Sequence, residues 1–386
     1  MFSNRTSWNR TTNRLSEALA RHRASGKPLF DLSASNPTEC GFDYDNHAIM
    51  RALCSPASLQ YQPDPRGLSI ARLGVVQYYA ERDQQIEIDD VVLTTSTSEA
   101  YSFVFRLLCN AGDEVLAPSP SYPLFDFLAD IQDVKIKPYS LVYDHGWQID
   151  LHGLQQAITP ETRGIIVVHP NNPTGSFVKP EELAALNQLC AEKQMALIAD
   201  EVFLDFSLRH DLPASFTANT GALTFTMSGL SKIAGLPQMK LPWLVVSGPE
   251  AQKSEALARL EIIADTYLSM NAPVQLASPE FLRQRHSFQK QLMARVRANL
   301  EELDRQIAGQ RHCARLEVEG GWYCVLRIPA TRSDEDLVLA LLEQQGVFVH
   351  PGHFYDFAQD GYLVVSLITP QREFGEGIKR LLSAVG

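Results

Sequence analysis

Several features that define other protein classes are missing from this 386-residue sequence. Its six cysteines form no CxxC pair and no His/Cys cluster with zinc spacing, so we expect no metal site. No apolar run approaches the ~20 residues that cross a bilayer, and residues 1–15 lack the apolar segment of a secretory signal. We therefore expect no membrane association, and reduced thiols as in a cytoplasmic protein.

Positive charge is also scarce. Lysine and arginine number 34 against 45 aspartates and glutamates, a net charge of −11, which argues against nucleic acid as a partner. No GxGxxG sequence follows a predicted strand, which disfavours a dinucleotide-binding dehydrogenase. The remaining composition, 45% hydrophobic and 20% charged, is that of a folded globular chain long enough for more than one domain.

Short apolar segments alternate with helical patterns through the middle of the chain, and the strands that they predict are 91–94, 114–117, 164–169, 196–200, 223–227 and 243–247. This alternation is typical of a mostly parallel sheet covered by helices on both faces. From about residue 271 the pattern changes to a long helix at 279–306, a helix at 334–345 and the strands 321–328, 347–350 and 362–368.

We therefore expect three parts. Residues 1–44 form an N-terminal segment that packs on the small domain or on a partner subunit, residues 45–270 form a large α/β domain, and residues 271–386 form a smaller α+β domain.

Three polar segments follow predicted strands: HPNNPTG at 169–175, ADEVF at 199–203 and SGLSK at 228–232. Ligands bind beyond the carboxyl ends of strands in open parallel sheets, so these segments are candidates for one site. Asp200 fits either a partner for a ring N–H or a helix N-cap. Lys232 fits either a partly desolvated amine nucleophile or an ordinary surface lysine.

The order of these segments resembles the class I/II aminotransferases, which are enzymes of fold type I that use pyridoxal 5'-phosphate (PLP). The resemblance rests on NPTG, D-E-x-aromatic, S-x-x-S-K and a basic residue eight positions later, and it extends over roughly residues 30–384. It implies a large PLP-binding domain with a mostly parallel seven-stranded sheet, a smaller α+β domain, and the activity of a PLP-dependent aminotransferase.

The resemblance also implies roles for single residues. Lys232 would form the Schiff base with PLP and shuttle a proton, and Asp200 would pair with the pyridine nitrogen. Asn172 would bond the ring hydroxyl, with a cis bond to Pro173. Tyr122 would stack on the ring.

Further residues would hold the phosphate of PLP. Ser96, Thr97 and Ser98 open a predicted helix, where backbone N–H groups favour an anion. Lys240 stands where the family usually has an arginine. Tyr61 matches a tyrosine that reaches the phosphate of a neighbouring subunit, which implies a homodimer with shared active sites.

The sequence departs from the family pattern at three positions. Phe203 replaces a tyrosine that donates to the ring oxygen. Gly229 replaces a phosphate-binding serine, and either the adjacent Ser228 or backbone groups would bind the phosphate instead. Val364 replaces the arginine that clamps the substrate carboxylate. The candidates to bind substrate in its place are Asn36, Arg66, Arg327 and His353.

The leading hypothesis is therefore amino-group transfer between an amino acid or related amine and a keto acid. The missing arginine leaves open a PLP-dependent lyase or a tailoring enzyme on the same fold. A non-catalytic PLP-binding regulator is a remote alternative, since no helix-turn-helix pattern precedes the family region.

Overall fold

The computed structural model describes residues 1–211 and 213–385. The elements before the central sheet are α1 (Arg14–Ala24), β1 (Phe30–Asp31), α2 (Asn46–Leu53) and α3 (Ser69–Ala80). Helix α1 begins after Asn13, whose side-chain oxygen accepts a hydrogen bond from the backbone N–H of Ser16 at 2.7 Å. The bond satisfies one of the amide groups that the first turn of a helix leaves without a partner.

The largest sheet has eight strands: β2 (Val91–Leu93), β3 (Glu114–Ser119), β4 (Lys135–Tyr143), β5 (Trp147–Ile149), β6 (Thr162–Val168), β7 (Ala196–Asp200), β8 (Thr224–Gly229) and β9 (Pro242–Ser247). Their spatial order is β2-β9-β8-β7-β6-β3-β4-β5. Strands β4, β3, β6, β7 and β8 pair in parallel, and β9 and β5 run antiparallel to their neighbours. The expectation of a mostly parallel sheet is confirmed, with eight strands rather than seven.

Strands β4 and β5 at one edge of the sheet were absent from the strands predicted by apolar runs. Tyr139 is the only fully buried residue of β4, so the segment lacks the continuous apolar run of a strand covered on both faces. The chain turns between β4 and β5 at His145 and Gly146, which have φ angles of 51° and 138°. This tight hairpin adds the eighth strand.

Six helices follow strands of this sheet: α4 (Thr97–Leu108), α5 (Phe125–Asp130), α6 (Leu151–Ala157), α7 (Pro180–Lys193), α8 (Leu230–Ile233) and α9 (Glu250–Tyr267). One face of the sheet packs on α4 and α9, through side chains such as Phe105 and Leu260. The other packs on α6 and α7, through side chains such as Leu154 and Leu186. Each such side chain stabilises the fold by about 1.5–3 kcal/mol when fully buried.

Helix α10 (Ala272–Ile307) begins seven residues before the predicted start at Pro279. Proline lacks the N–H that would bond the carbonyl of Gln275, and the hydroxyl of Ser278 donates to that carbonyl instead, at 2.8 Å. The helix therefore continues through the proline. None of the helices in residues 1–211 and 213–385 is both long and apolar enough to cross a membrane.

The C-terminal elements are β10 (Ala314–Arg315), β11 (Tyr323–Arg327), α11 (Asp334–Ala340), β12 (Val347–Phe348), β13 (His350–Pro351), β14 (Tyr362–Ser366) and α12 (Gln371–Val385). Strands β10, β11, β14 and β13 form an antiparallel sheet in that order. The predicted strand 347–350 is split, because β12 pairs with β1 and β13 pairs with β14. The predicted helix 334–345 is α-helical to Ala340 and finishes as a π-helical turn.

Candidate active site

A cleft of about 270 Å³ lies where the carboxyl ends of β6, β7 and β8 meet the small antiparallel sheet. One side, here called the sheet wall, comprises Val168, Asn172, Asp200, Val202, Phe203, Gly229, Ser231 and Lys232. The opposite side, here called the aromatic wall, comprises Ser35, Tyr323, His350, Phe354 and Tyr355. The three polar segments singled out in the sequence thus contribute to one cavity.

Lys232 lies in the short helix that follows β8, with its amine against aromatic rings. Its Nζ is 5.0 Å from the ring centroid of Trp322 and 5.5 Å from that of Phe203. Burial lowers the pKa of Lys232 to about 8, although the nearby charge of Asp200 acts in the opposite direction. A lysine in such a place holds its proton less firmly than a surface lysine, as an amine nucleophile or base requires.

Asp200 ends β7, and both of its carboxylate oxygens have a partner. Oδ1 accepts from the backbone N–H of Val202 at 3.1 Å, and Oδ2 accepts from the hydroxyl of Tyr101 at 3.1 Å. Burial raises the pKa of Asp200 to about 6, while these two bonds and the charge of Lys232 act to lower it. The two bonds hold the carboxylate in one orientation at the bottom of the cleft.

The loop after β6 brings Asn172 into the cleft because Asn171 anchors it from behind. The Asn171 side-chain amide donates to the carbonyl of Pro120 at 3.1 Å and to the hydroxyl of Thr174 at 2.9 Å. The bond between Asn172 and Pro173 is cis. The Asn172 Oδ1 atom is buried and has no hydrogen-bond partner among residues 1–211 and 213–385.

Two further segments carry polar groups at this end of the sheet. Thr97, in the first turn of α4, lines the cleft, while the hydroxyl of Ser96 caps that helix by accepting from the backbone N–H of Glu99 at 3.0 Å. Ser98 follows in the same turn. The hydroxyl of Ser228 is buried without a partner in the described parts of the chain. Such groups suit the phosphate of a ligand.

Close packing accounts for the departure at Gly229. A Cβ atom on Gly229 would lie 2.7 Å from the Cα of Pro242, which is too close for any side chain without movement of the backbone. A serine is therefore excluded at this position unless the strand pair β8–β9 shifts. Ser228 supplies the nearest hydroxyl on β8.

Tyr122 and Phe203 line the cleft, as the sequence led us to expect. Tyr122 is 43% exposed, and the charge of Asp200 adds to burial in raising its pKa. Phe203 is buried and packs edge-on against Trp322 and Tyr323.

Several predicted residues lie elsewhere. Arg66 and Arg327 do not line the cleft: the Arg66 guanidinium bonds Glu261 at 2.8 Å and the carbonyl of Asp89 at 2.8 Å, and Arg327 is exposed at the end of β11. These contacts correct the expectation that either arginine meets the substrate in this chain. The carboxylate of Glu261 neutralises Arg66, and Arg327 is exposed to solvent.

Asn36 and His353 are also outside the cavity. The side-chain oxygen of Asn36 accepts from the hydroxyl of Thr38 at 2.7 Å, and it is the preceding residue, Ser35, that lines the cleft. His353 lies in an adjoining groove, beside Tyr122. Both are therefore near the substrate side of the cleft without belonging to it.

Tyr61 and Lys240 lie on the surface of the single chain. Tyr61 is 81% exposed. Lys240 is exposed and has a left-handed backbone, with a φ of 51°. Neither residue lines the cleft of the single chain.

Sequence reasoning missed Tyr101, Trp322, Tyr323, His350 and Tyr355. Tyr101 follows Thr97 by four residues and so lies on the same face of α4, which was a usable signal. His350 precedes Pro351, three residues before the histidine that we selected. The choice between the two histidines depends on the path of the chain after β13, for which the sequence offers no signal.

The fold and this site together define a class, the PLP enzymes of fold type I: a large mostly parallel sheet, a smaller sheet closing the cleft, and a half-buried lysine near the aspartate that ends a central strand. The sequence model of the family described as aminotransferase class I and II matches residues 43–381, and the chain belongs to this family.

Two named relatives and two solved structures illustrate the similarity. Glutamate-pyruvate aminotransferase AlaA of Escherichia coli K12 is 28% identical over 360 residues, 90% of this chain and 88% of that protein. Alanine aminotransferase of Mycobacterium tuberculosis is 28% identical over 377 residues, 94% and 86% of the two chains. The structure of alanine aminotransferase from Pyrococcus furiosus superimposes with a TM-score of 0.88 at 23% identity, covering 98% of each chain. Aspartate aminotransferase from Thermotoga maritima gives 0.84 at 20% identity, covering 99% of each chain.

These findings make the protein a PLP-dependent aminotransferase, with amino acids and keto acids as its substrates. The site fits the cofactor: the buried Asn172 and Ser228 oxygens lack partners within the described residues, and the half-buried Lys232 has a lowered pKa. The comparisons therefore favour transamination over the lyase and regulator alternatives.

Proposed function

We propose that this aminotransferase uses Lys232 both to hold PLP and to move the substrate proton, with Asp200 at the pyridine nitrogen. The observation that carries the proposal is the place of the half-buried Lys232 in the same cavity as Asp200, with the pKa of its amine lowered to about 8. An amine with that pKa has lost its proton in about a tenth of the molecules at pH 7, far more than an ordinary lysine, so it serves as a base.

When bound, the cofactor supplies a ring that withdraws the electrons left behind as the substrate loses its α-proton. Lys232 would accept that proton at Nζ and deliver it to the cofactor carbon C4', on the other side of the substrate nitrogen. Asp200, ionised at neutral pH because its pKa is about 6, holds a proton at the ring nitrogen. Tyr101 and Val202 keep the carboxylate oriented for this contact.

The remaining cofactor contacts follow from position. Asn172 bonds the ring hydroxyl, Tyr122 covers a ring face, and Phe203 packs beside the ring without a hydroxyl to donate. The first turn of α4, with Ser96, Thr97 and Ser98, receives the phosphate together with Ser228.

The protein works as a homodimer in this proposal. Tyr61 is 81% exposed and Leu59 in the same segment is 90% exposed, an unusual exposure for apolar side chains on a monomer. A second copy would cover this segment, and the Tyr61 of each subunit would reach the phosphate site of its neighbour, where the neighbour's own Lys240 replaces the usual arginine. Sedimentation of the purified protein tests the dimer, and a weaker affinity of Tyr61→Phe for PLP tests the shared site.

The first substrates to test are L-alanine and L-glutamate with their keto acids, because the two relatives above are named for those reactions. The compartment proposed is the cytoplasm, where the unpaired thiols of the six cysteines would stay reduced.

A half-reaction tests the function directly. The PLP-loaded protein is mixed with each amino acid, and the cofactor absorbance is followed as pyridoxamine 5'-phosphate forms. We expect conversion by the wild type, no conversion by Lys232→Ala, and unchanged conversion by Lys193→Ala, a matched change at an exposed lysine on α7.

The product distinguishes the chemistries. A keto acid together with pyridoxamine 5'-phosphate supports the proposal, whereas ammonia and a keto acid with the PLP spectrum unchanged would show a lyase. Full conversion by Lys232→Ala would remove Lys232 from the proton transfer.

A further inference from the structure

The aromatic wall has no cationic side chain for a substrate carboxylate. Among the described residues that line the cleft, Lys232 is the only lysine or arginine. Lys232 is already assigned to the cofactor, and Arg66 is bonded to Glu261 and Asp89. A carboxylate that enters the cleft therefore meets hydroxyl groups and one imidazole, that of His350.

The position of His350 is fixed by the small sheet. His350 on β13 lies directly across from Val364 on β14, and directly opposed residues of an antiparallel pair project to the same face. Val364 is buried and apolar, so His350 is the polar member of this pair. The ring also packs among Phe348, Phe354 and Tyr355, at centroid distances of 5.9, 5.7 and 5.9 Å.

The hydrogen bonding of His350 leaves one donor unused. Its Nδ1 lies 3.1 Å from the hydroxyl of Tyr355, and that hydroxyl has no other hydrogen-bond partner within residues 1–211 and 213–385. We assign the hydroxyl as the donor to Nδ1, because it has no other acceptor in these parts of the chain, and this assignment places the ring proton on Nε2. Nε2 has no partner in the same parts of the chain, although the ring lines the cleft.

We propose that His350, oriented by Tyr355, binds the carboxylate of the substrate through Nε2–H and thereby selects amino acids over simple amines. The proposal rests on the proposed function, since it names how the same site recognises its substrate. Burial lowers the pKa of His350 below its ordinary value of 6.5, although the charge of Asp31 opposes this, so the neutral form of the ring is favoured at pH 7. The contact is then a single hydrogen bond rather than a bidentate ion pair, and its loss costs less than that of an arginine.

The test uses two unreactive probes that share a phenylethyl group, 3-phenylpropionate, which ends in a carboxylate, and 3-phenyl-1-propanol, which ends in an uncharged hydroxymethyl group. Calorimetry measures their binding to the PLP-loaded wild type, His350→Phe, His350→Gln and Tyr355→Phe. A hydrogen bond to a charged group contributes about 1.5–3 kcal/mol, so we expect His350→Phe to weaken propionate binding about tenfold or more. The alcohol should bind within about twofold of the wild-type affinity, since it depends mainly on apolar contact.

The other variants should weaken propionate binding by smaller amounts. His350→Gln keeps a side-chain N–H and should retain part of the propionate affinity, and Tyr355→Phe should lose less than His350→Phe because the imidazole remains. His152→Phe, the same substitution at an exposed histidine on α6, is the matched control and should leave both affinities unchanged. The PLP absorbance and the circular dichroism of each variant show whether it is folded.

Equal losses for both probes in His350→Phe, or no loss of propionate binding in a folded His350→Phe, would overturn the proposal. So would a wild type that binds the two probes equally well. Because neither probe has an amine, these results do not depend on transamination. A failure of the proposed function would appear instead in the half-reaction with L-alanine.

Discussion

The two walls of the cleft differ in both charge and construction. The sheet wall holds the ionisable pair Lys232 and Asp200, whereas the aromatic wall presents Tyr323, Phe354, Tyr355 and the neutral ring of His350. If Lys232 and His350 act as proposed, amino-group transfer takes place at the sheet wall and the substrate carboxylate is recognised at the aromatic wall.

The construction explains why the walls differ. Asp200 pairs in register with Val168 on β6 and with Met227 on β8, so the backbone hydrogen bonds of a parallel sheet determine its position. The aromatic wall is assembled from short strands and loops, with Ser35 contributed from the other end of the chain. Side chains on loops change more easily than those held in a sheet.

The largest effect is expected for Asp200→Asn. Without a carboxylate at the pyridine nitrogen, turnover should fall by about 10²–10³, as when other electrostatic contacts in active sites are removed. Stopped-flow half-reactions with L-alanine measure the rate, and calorimetry with 3-phenylpropionate measures binding. If the probe affinity falls as much as the rate, the two walls do not act separately.

The free energy of unfolding should depend on pH through His169, which precedes the Asn171–Asn172 loop of the sheet wall. Its Nδ1 accepts from the backbone N–H of Val178 at 3.0 Å, and burial lowers its pKa to about 3 from an ordinary value of 6.5. The unfolded chain takes up a proton below pH 6.5 and the folded chain does not until about pH 3. The stabilisation is therefore complete above pH 6.5 and is lost as the pH falls.

Urea unfolding at pH 6 and pH 5 measures this linkage. The wild type should lose about 1 kcal/mol more free energy of unfolding over this interval than His169→Asn, whose side chain does not titrate. An identical loss in both proteins would mean that His169 takes up a proton in the folded state.

A smaller effect is expected for Tyr101→Phe. The lost hydrogen bond contributes about 1 kcal/mol, equivalent to a turnover roughly fivefold lower. Because Tyr101 stabilises the charged form of Asp200, its removal should raise the pKa of Asp200 further, and the acid limb of the kcat/KM profile should move to higher pH. Tyr139→Phe removes a buried hydroxyl that bonds the carbonyl of Ile166, away from Asp200, and should leave the profile in place.

The smallest effect is expected for Phe203→Tyr on the sheet wall. A hydroxyl at this position would donate a hydrogen bond to the ring oxygen of the cofactor. That oxygen would then be a weaker acceptor for the proton on the nitrogen that joins Lys232 to the cofactor. One hydrogen bond corresponds to a decrease of roughly half to one unit in the pKa of the linkage. A pH titration of the cofactor absorbance that is identical in both proteins would show that no such bond forms.

Much of the large domain was predictable because its signals are local. Inner strands such as β6 and β7 are covered on both faces, which produces the continuous apolar runs visible in the sequence. Strand β4, next to the edge strand β5, has one fully buried residue and was missed, because it lacks the continuous apolar run of an inner strand. The start of α10 was misplaced because a bond from the Ser278 hydroxyl replaces the one that Pro279 cannot make.

The sequence by itself determined the family and the place of Lys232, Asp200 and Asn172, since strand ends and turn residues follow from neighbours along the chain. Only the tertiary structure decided that Tyr101 bonds Asp200, that Glu261 holds Arg66 away from the cleft, and that His350 rather than His353 lines it. The first two contacts join residues 99 and 195 positions apart. Contacts at such separations depend on how the helices and sheets pack, which no local pattern of residues encodes.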